Sequence, residues 1–311
     1  MEEKYTAYIY GAGNLYNRLI NHFRKCKDSL KILGIVTSLP TPYKEIDGYD
    51  CFTVENVDFG GVDFVIIAVE KWREIFHILL EKGVSEESII RGSVFELTDF
   101  DFEEYVELKR SSVSILSNCC LGGMVYKKLG LKVTSPTINM YCAGQGYLKF
   151  LRKYEYYMNC EMKKLDGQYY IDGTLAREAF YLRGILGNEI IWNFNHSSNA
   201  HETIAQWNEH KARLNYANIA VIMTIQSDED AFRFEELKIE KKLGIYYKQL
   251  DLEHVVYIPE WQDNYDAILK YDGNWTDFAN DYMMGANGYI PPVNWIKFLL
   301  GDSSFQRKTT W

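Results

Sequence analysis

The sequence predicts an α/β protein: an N-terminal, Rossmann-like doubly wound parallel sheet followed by a second α/β domain. Three observations carry this. Short, continuous apolar runs alternate with amphipathic stretches through residues 1–95, the pattern of parallel strands covered on both faces by helices. The first run ends on a glycine turn, Gly11-Ala12-Gly13, that opens a helix. A second strand–turn–helix unit begins at Ser111, after the acidic stretch 98–107.

Taken in order, residues 5–10 form the first strand. Residues 14–25 place Leu15, Leu19, Ile20 and Phe23 on one side of a helix. The run ILGIV at 32–36 is a second strand, Phe52 and Val54 mark a third, and 63–69 is a fourth. Residues 71–82 bring Ile75, Ile78 and Leu79 to helical core spacing, and 89–90 close the sheet. The stretch 98–107 is a linker or a bridging helix, which gives domains 1–107 and 108–311, in line with a prior of roughly 150 residues per domain.

In the second domain, 113–116 is a strand and 124–129 a helix stopped by Gly130. Residues 134–140 are extended. Helices are expected at 148–163, 175–186, 200–214, 232–243 and 295–300, and strands at 190–194, 219–224 and 255–258.

The chain carries 34 Lys+Arg against 43 Asp+Glu, a net charge of −9. It lacks the basic face of a nucleic-acid binder, so a nucleic-acid polymer is not an expected partner. No run approaches the ~20 apolar residues that span a bilayer, and the N-terminus lacks the pattern of a secretion signal. A cytoplasmic protein with no membrane span and reduced cysteines is expected. The cysteines show no CxxC spacing, and His196, His201 and His210 form no i, i+4 pair, so no metal site is assigned.

Gly11 and Gly13 begin a dinucleotide fingerprint and are the candidate cofactor-binding positions, although which cofactor is unknown. The third glycine position holds Tyr16, and Val36-Thr37-Ser38 stand where a ribose-binding acid is wanted. A turn kept for sheet geometry is the plainer reading. The segments YIYGAGNLYNRLI, GIV, GYDCFTVENV and VDFVIIAVEKWREIFHILLEKGV resemble the small Rossmann-like domains that accompany bacterial sugar-modifying transferases.

The bend Ser117–Gly123 is the main candidate site. A strand, a small-residue turn and a helix N-terminus can present backbone N–H groups to an anion. Asn118, Gly122 and Gly123 are therefore substrate-binding candidates, and Cys119, beside Cys120, a nucleophile. Buried core cysteines and a glycine turn are the alternative. Ser135, Thr137 and Asn139 alternate and would share one face of an extended segment, as a polar site or a solvated edge.

His201, at a helix start, is a candidate base or a capping group. Asp228, in the cluster Asp228-Glu229-Asp230 after strand 219–224, is a second candidate base or a helix-start acid. Arg213 would hold a phosphate or cap carbonyls. Trp207, Trp261 and Trp275 suit sugar stacking or a core. The stretch 272–292, with Asn274, Gly285, Asn287 and Gly288, is a lid or a dimer-forming arm, so a homodimer is one expected assembly.

The blocks SNCCLGGMVYKKLGLKVTSPTINMY and WNEHKARLNYANIAVIMT resemble a bacterial family of unknown function whose members are often labelled exopolysaccharide biosynthesis proteins. The resemblance covers roughly residues 108–311 and implies work on sugars or polysaccharide precursors, with no family catalytic residue to transfer. The expected function is a transferase acting on a sugar or sugar-phosphate, with a sugar or nucleotide-sugar as partner. The alternatives are a non-catalytic carbohydrate- or nucleotide-binding protein and a dehydrogenase.

Overall fold

The computed structural model describes residues 4–167, 170–171, 174–175, 181–258, 279–286 and 289–307. The fold class is α/β, as expected. The chain divides into two compact units, one of Met1–Arg110 with Lys128–Gly130, the other of Ser111–Lys127 with Leu131–Trp311.

The first unit runs β1 (Tyr5–Tyr10), α1 (Asn14–Lys25), β2 (Leu30–Thr37), β3 (Glu45–Ile46), β4 (Tyr49–Thr53), β5 (Phe64–Ile67), α2 (Trp72–Glu81), β6 (Ile89–Arg91) and α3 (Phe102–Arg110). Its sheet has the order β3-β4-β2-β1-β5-β6, parallel throughout except for the β3–β4 hairpin. The chain winds outward on both sides of β1, with the reversal between β1 and β5. Ile9, Ile35, Val65 and Ile66 are fully enclosed, because strands covered on both faces must be apolar at every position.

The turn after β1 places Gly11 and Gly13 differently. Gly11 has φ +107°, and a Cβ there would sit 2.4 Å from Val69 Cγ1 and 3.1 Å from the Ala68 carbonyl oxygen. Sheet geometry alone therefore requires glycine. Gly13 precedes α1 with nothing within 4 Å of its missing side chain. Tyr16 is buried where the third glycine would stand, and its hydroxyl donates to Asp47 at 3.0 Å. That phenol plugs the space a close helix–strand approach would otherwise close. Ser38, past the end of β2, meets the Tyr10 hydroxyl at 3.0 Å.

The second unit runs β7 (Ser114–Ser117), α4 (Leu121–Leu129, whose last two residues are grouped with the first unit), α5 (Gly144–Arg152), α6 (Tyr154–Asn159), β8 (Met162–Leu165), β9 (Tyr170–Ile171), β10 (Thr174–Leu175), β11 (Leu182–Leu186), β12 (Ile190–Phe194), α7 (Ala200–Lys211), β13 (Ile219–Thr224), α8 (Asp228–Glu235), β14 (Lys241–Tyr246), β15 (Val255–Tyr257) and α9 (Trp295–Leu300). A parallel sheet has the order β15-β14-β13-β7, an antiparallel sheet the order β12-β11-β8, and β9 and β10 pair as a hairpin. Trp192 and Trp207 are fully buried with ring centroids 5.6 Å apart, in a core shared with Leu116, Val221 and Phe194. Trp207 is thus a core residue rather than a stacking surface.

Several expected elements change. Residues 134–140 are irregular rather than extended. The helix expected at 148–163 breaks at Lys153 into α5 and α6 and gives way to β8. Of the helix expected at 175–186, Leu182–Leu186 is a strand, and 176–180 lie outside the described residues. The helix expected at 232–243 ends at Glu235, and 241–246 is a central strand. There Lys242 is only 4% exposed and passes its ammonium to the carbonyls of Glu235 and Leu237, so a charged residue occupies an inner strand by capping a helix end.

Trp261, Asn274, Trp275, Asn287 and Gly288 lie outside the described residues. The described part of the stretch expected as a lid includes Ala279 and Met283, both buried, and the Met283 carbonyl accepts from the Trp295 indole at 2.7 Å. No helix among the described residues is long and apolar enough to cross a membrane.

Gly11→Ala forces an L side chain into a left-handed backbone and against Val69. It is expected to destabilise the first unit by about 2–4 kcal/mol, read as a lower urea midpoint of the full chain.

Candidate functional site

The candidate site is built at the carboxyl edge of the parallel sheet in the second unit, where open α/β sheets bind ligands. The bend after β7, the loop after β13 and the residues after β14 meet this edge.

Asn118 organises the bend. It is completely buried, and its side-chain amide donates to the Thr224 carbonyl at 3.1 Å while its Oδ1 accepts from the Thr224 N–H at 2.9 Å and from the Thr224 hydroxyl at 3.2 Å. The Asn118 carbonyl accepts from the Cys142 N–H at 2.9 Å. Next to it, Tyr141 exchanges backbone hydrogen bonds of 2.9 and 2.8 Å with Asn193 of β12. A continuous set of hydrogen bonds thus runs from the bend to the strand whose end bears His196.

That link brings together two side chains 76 residues apart: Cys120 Sγ lies 3.0 Å from His196 Nε2. Cys120 is half-buried and immediately precedes α4, whereas His196 is exposed. The turn that carries His196 is braced. The Ser197 N–H donates to the Phe194 carbonyl at 3.1 Å, the Ser197 hydroxyl to the Asn199 carbonyl at 2.9 Å, and the Thr203 hydroxyl to Ser197 Oγ at 2.5 Å. Burial, with the adjacent Cys119, pushes the Cys120 thiol up to about 12, so it rests as a neutral thiol beside the imidazole. A neutral thiol needs a base to become a nucleophile, and a ring nitrogen stands at hydrogen-bond distance.

The expected site residues divide on this frame. Cys119 is 5% exposed, packs its sulfur 3.8 Å from Ser117 Oγ, and is raised by burial, so it sits in the packing, while the neighbouring Cys120 is the thiol that meets a histidine. The ligand-binding roles expected of the Asn118, Ser135 and Thr137 side chains are corrected. All three are fully buried and spend their hydrogen bonds internally, Thr137 Oγ1 accepting from the Ser117 N–H at 3.0 Å and meeting Ser135 Oγ at 3.2 Å. Asn139 is exposed at φ +58°, off any shared strand face.

The two glycines of the bend allow close packing. A Cβ on Gly122 would lie 2.9 Å from Ser117 Cβ, and one on Gly123 would lie 3.0 Å from Asn139 Oδ1. His201 is exposed in the first turn of α7, its N–H capped by Asn199 Oδ1 at 3.0 Å. Arg213 follows α7 and precedes β13, at the amino end of the sheet away from Cys120, and pairs with Glu209 at 3.4 Å. Asp228 lies at the right edge, but it accepts from Lys248 at 2.9 Å and from the Tyr246 hydroxyl at 2.5 Å. Lys248 first and Tyr246 second hold it below the usual carboxylate range, which makes it a poor base.

Among the described residues, Glu235, Glu253 and His254 are near enough for their ligand atoms to meet on one ion. Glu235 already accepts from the His254 backbone N–H at 3.2 Å, and its other oxygen lies 2.7 Å from His254 Nδ1, a pairing that ties the start of β15 to α8. The geometry is that of a structural anchor.

A family model described as a domain of unknown function, DUF1919, matches residues 91–297, more than half of the chain. The chain belongs to the DUF1919 family. All of the site residues above fall within the DUF1919 region, while residues 3–90 match a model described as C2185-like, N-terminal. An uncharacterised protein of Haemophilus influenzae is 21% identical over 173 residues, covering 54% of this chain and 79% of the relative. The crystal structure of aspartate semialdehyde dehydrogenase II from Vibrio cholerae, complexed with ASA, is similar over 71% of this chain and 69% of that chain at 11% identity. The TM-score is 0.24.

Asn118→Ala leaves both Thr224 backbone groups buried and unpaired and is expected to cost about 2–4 kcal/mol, read by urea denaturation. Asp228 has a depressed folded pKa, so its contribution is present above its unfolded value of about 3.9 and is lost as pH falls through the lower folded value. Asp228→Asn should accordingly be less stable than wild type at pH 7 and equal to it near pH 2, in paired denaturation curves.

Proposed function

We propose that the chain is a thiol-dependent acyl transferase acting on a sugar or sugar-phosphate in surface-polysaccharide assembly. The observation that carries the chemistry is the 3.0 Å approach of Cys120 Sγ to His196 Nε2 at the carboxyl edge of a parallel sheet. The sugar is supported by the resemblance of the blocks 117–141 and 207–224 to exopolysaccharide biosynthesis proteins.

In the proposed cycle, His196 Nε2 takes the Cys120 proton as sulfur attacks the donor carbonyl. The tetrahedral intermediate collapses to a thioester, and the leaving group departs with the proton from His196. An acceptor hydroxyl then attacks the thioester, gives its proton to His196, and receives the acyl group, while the thiol is restored by that proton. No oxidant or reductant is required. The Leu121 N–H serves the Cys119 sulfur, and the Gly122 and Gly123 N–H groups of the first turn of α4, which have no acceptor within the helix, are suited to the oxyanion beside Cys120. Asn118 acts here as a positioning residue.

Intact-mass measurement after incubation with acyl thioester donors is expected to show one acyl adduct. The adduct should be absent in Cys120→Ala and retained in Cys119→Ala. His196→Ala should slow acylation by roughly 10²–10⁴-fold. Adduct formation or turnover that survives in Cys120→Ala sinks the assignment.

A further inference from the structure

The chain as a whole is acidic, yet one cleft of the second unit gathers cations. It has a volume of about 460 Å³ and is lined by Lys149, Arg152, Lys153 and Arg233, with Glu189 as the only acid among its lining residues. The four cations come from two separate helical segments: Lys149, Arg152 and Lys153 lie on and just past the last turn of α5, and Arg233 lies on α8.

The end of a helix accounts for some of this charge, since cations at a C-terminus are favoured by its dipole. It does not account for Arg233, which is brought in from outside α5 and held in place. Arg233 pairs with Glu229 at 2.5 Å and donates to Gln145 Oε1 at 2.6 Å, while the Gln145 amide in turn donates to Asp230. Lys149 is likewise held, by Glu189, whose other oxygen accepts from the Tyr157 hydroxyl at 2.6 Å. Arg152 and Lys153 are exposed and show no ion-pair partner among the described residues. Two fixed cations and two exposed ones, of which Lys153 also acts on Glu189 through its charge, thus face one space over a buried apolar floor at Leu148. Bringing like charges together costs energy that an anion returns.

We propose that this cleft binds a phosphate or diphosphate group of a small phosphorylated ligand. A guanidinium offers paired donors and an ammonium a compact charge, which together suit tetrahedral oxyanions. The cleft is tied to the bend through the segment that precedes α5. The segment that leads into α5 begins at Cys142, bonded to the Asn118 carbonyl, and Gln145 and Arg152 are separated along the helix by roughly 10 Å at 1.5 Å per residue. A ligand whose phosphates rest on the last turn of α5 and whose other end extends toward Cys120 matches a phosphorylated donor or acceptor. This deepens the transferase reading and rests on it only for the identity of the reaction.

Isothermal titration of the full chain with inorganic pyrophosphate tests the site. Binding at one equivalent is expected, weakening at higher ionic strength. The exposed pair of changes Arg152→Gln and Lys153→Gln should lower affinity by roughly tenfold or more, with an unchanged thermal midpoint. Cys120→Ala should bind pyrophosphate as wild type does, so failure of the thiol chemistry and failure of the cleft are separable. Uridine diphosphate and coenzyme A, titrated in parallel, distinguish a nucleotide-sugar source from an acyl-donor source by which gains affinity over pyrophosphate. Absence of binding at millimolar pyrophosphate, or equal affinity in the doubly substituted chain, overturns the proposal.

Discussion

The backbone ladder between β7 and β13 runs out where Asn118 donates its N–H to the Ile222 carbonyl, and the Asn118 side chain then forms the next rung with Thr224. A carboxamide has the same donor and acceptor as a peptide group, so it can continue a parallel ladder where the chain itself has turned away. Leucine could fill the volume but would strand the Thr224 N–H and carbonyl; aspartate would keep an acceptor and lose the donor. The turn leading to Cys120 starts from this fixed point.

From there, order passes sideways rather than along the chain. The Asn118 carbonyl holds Cys142, the neighbouring Tyr141 pairs with Asn193, and the strand containing Asn193 ends at the braced turn of His196. The parallel and antiparallel sheets pack in one core, and this bridge adds a hydrogen-bonded link between the bend and the antiparallel one. The sulfur and the imidazole are therefore aligned by backbone hydrogen bonds, which are stiffer than contacts between mobile side chains. The vicinal cysteines divide accordingly. Cys119 points into the packing beside Ser117, and Cys120 faces the ring.

Local pattern made much of the architecture legible. Helix α1 occupies the residues its amphipathic spacing marks, and strands β12 and β13 fall on the apolar runs IIWNF and IAVIMT. Pattern failed where tertiary capping overrode it. Lys241 and Lys242 made β14 read as part of a helix, because nothing in the sequence announces that a lysine ammonium will serve the end of α8. In the site, the bend itself was visible as a strand, a turn and a helix start. The roles within it were not, since Asn118 and Thr137 look alike as polar residues whether they face a ligand or a backbone. The Cys120–His196 approach depends on pairings between distant segments, which no spacing rule encodes.

The rung made by Asn118 bears on the chemical ageing of the chain. Asparagine deamidates when the following peptide nitrogen closes on the side-chain carbonyl to form a succinimide. Here that nitrogen belongs to Cys119 and donates to Ser117 Oγ at 3.3 Å, while the carboxamide is occupied by Thr224. The two reacting atoms are held by different partners in a buried interior, so the fold that needs this amide also protects it from hydrolytic loss.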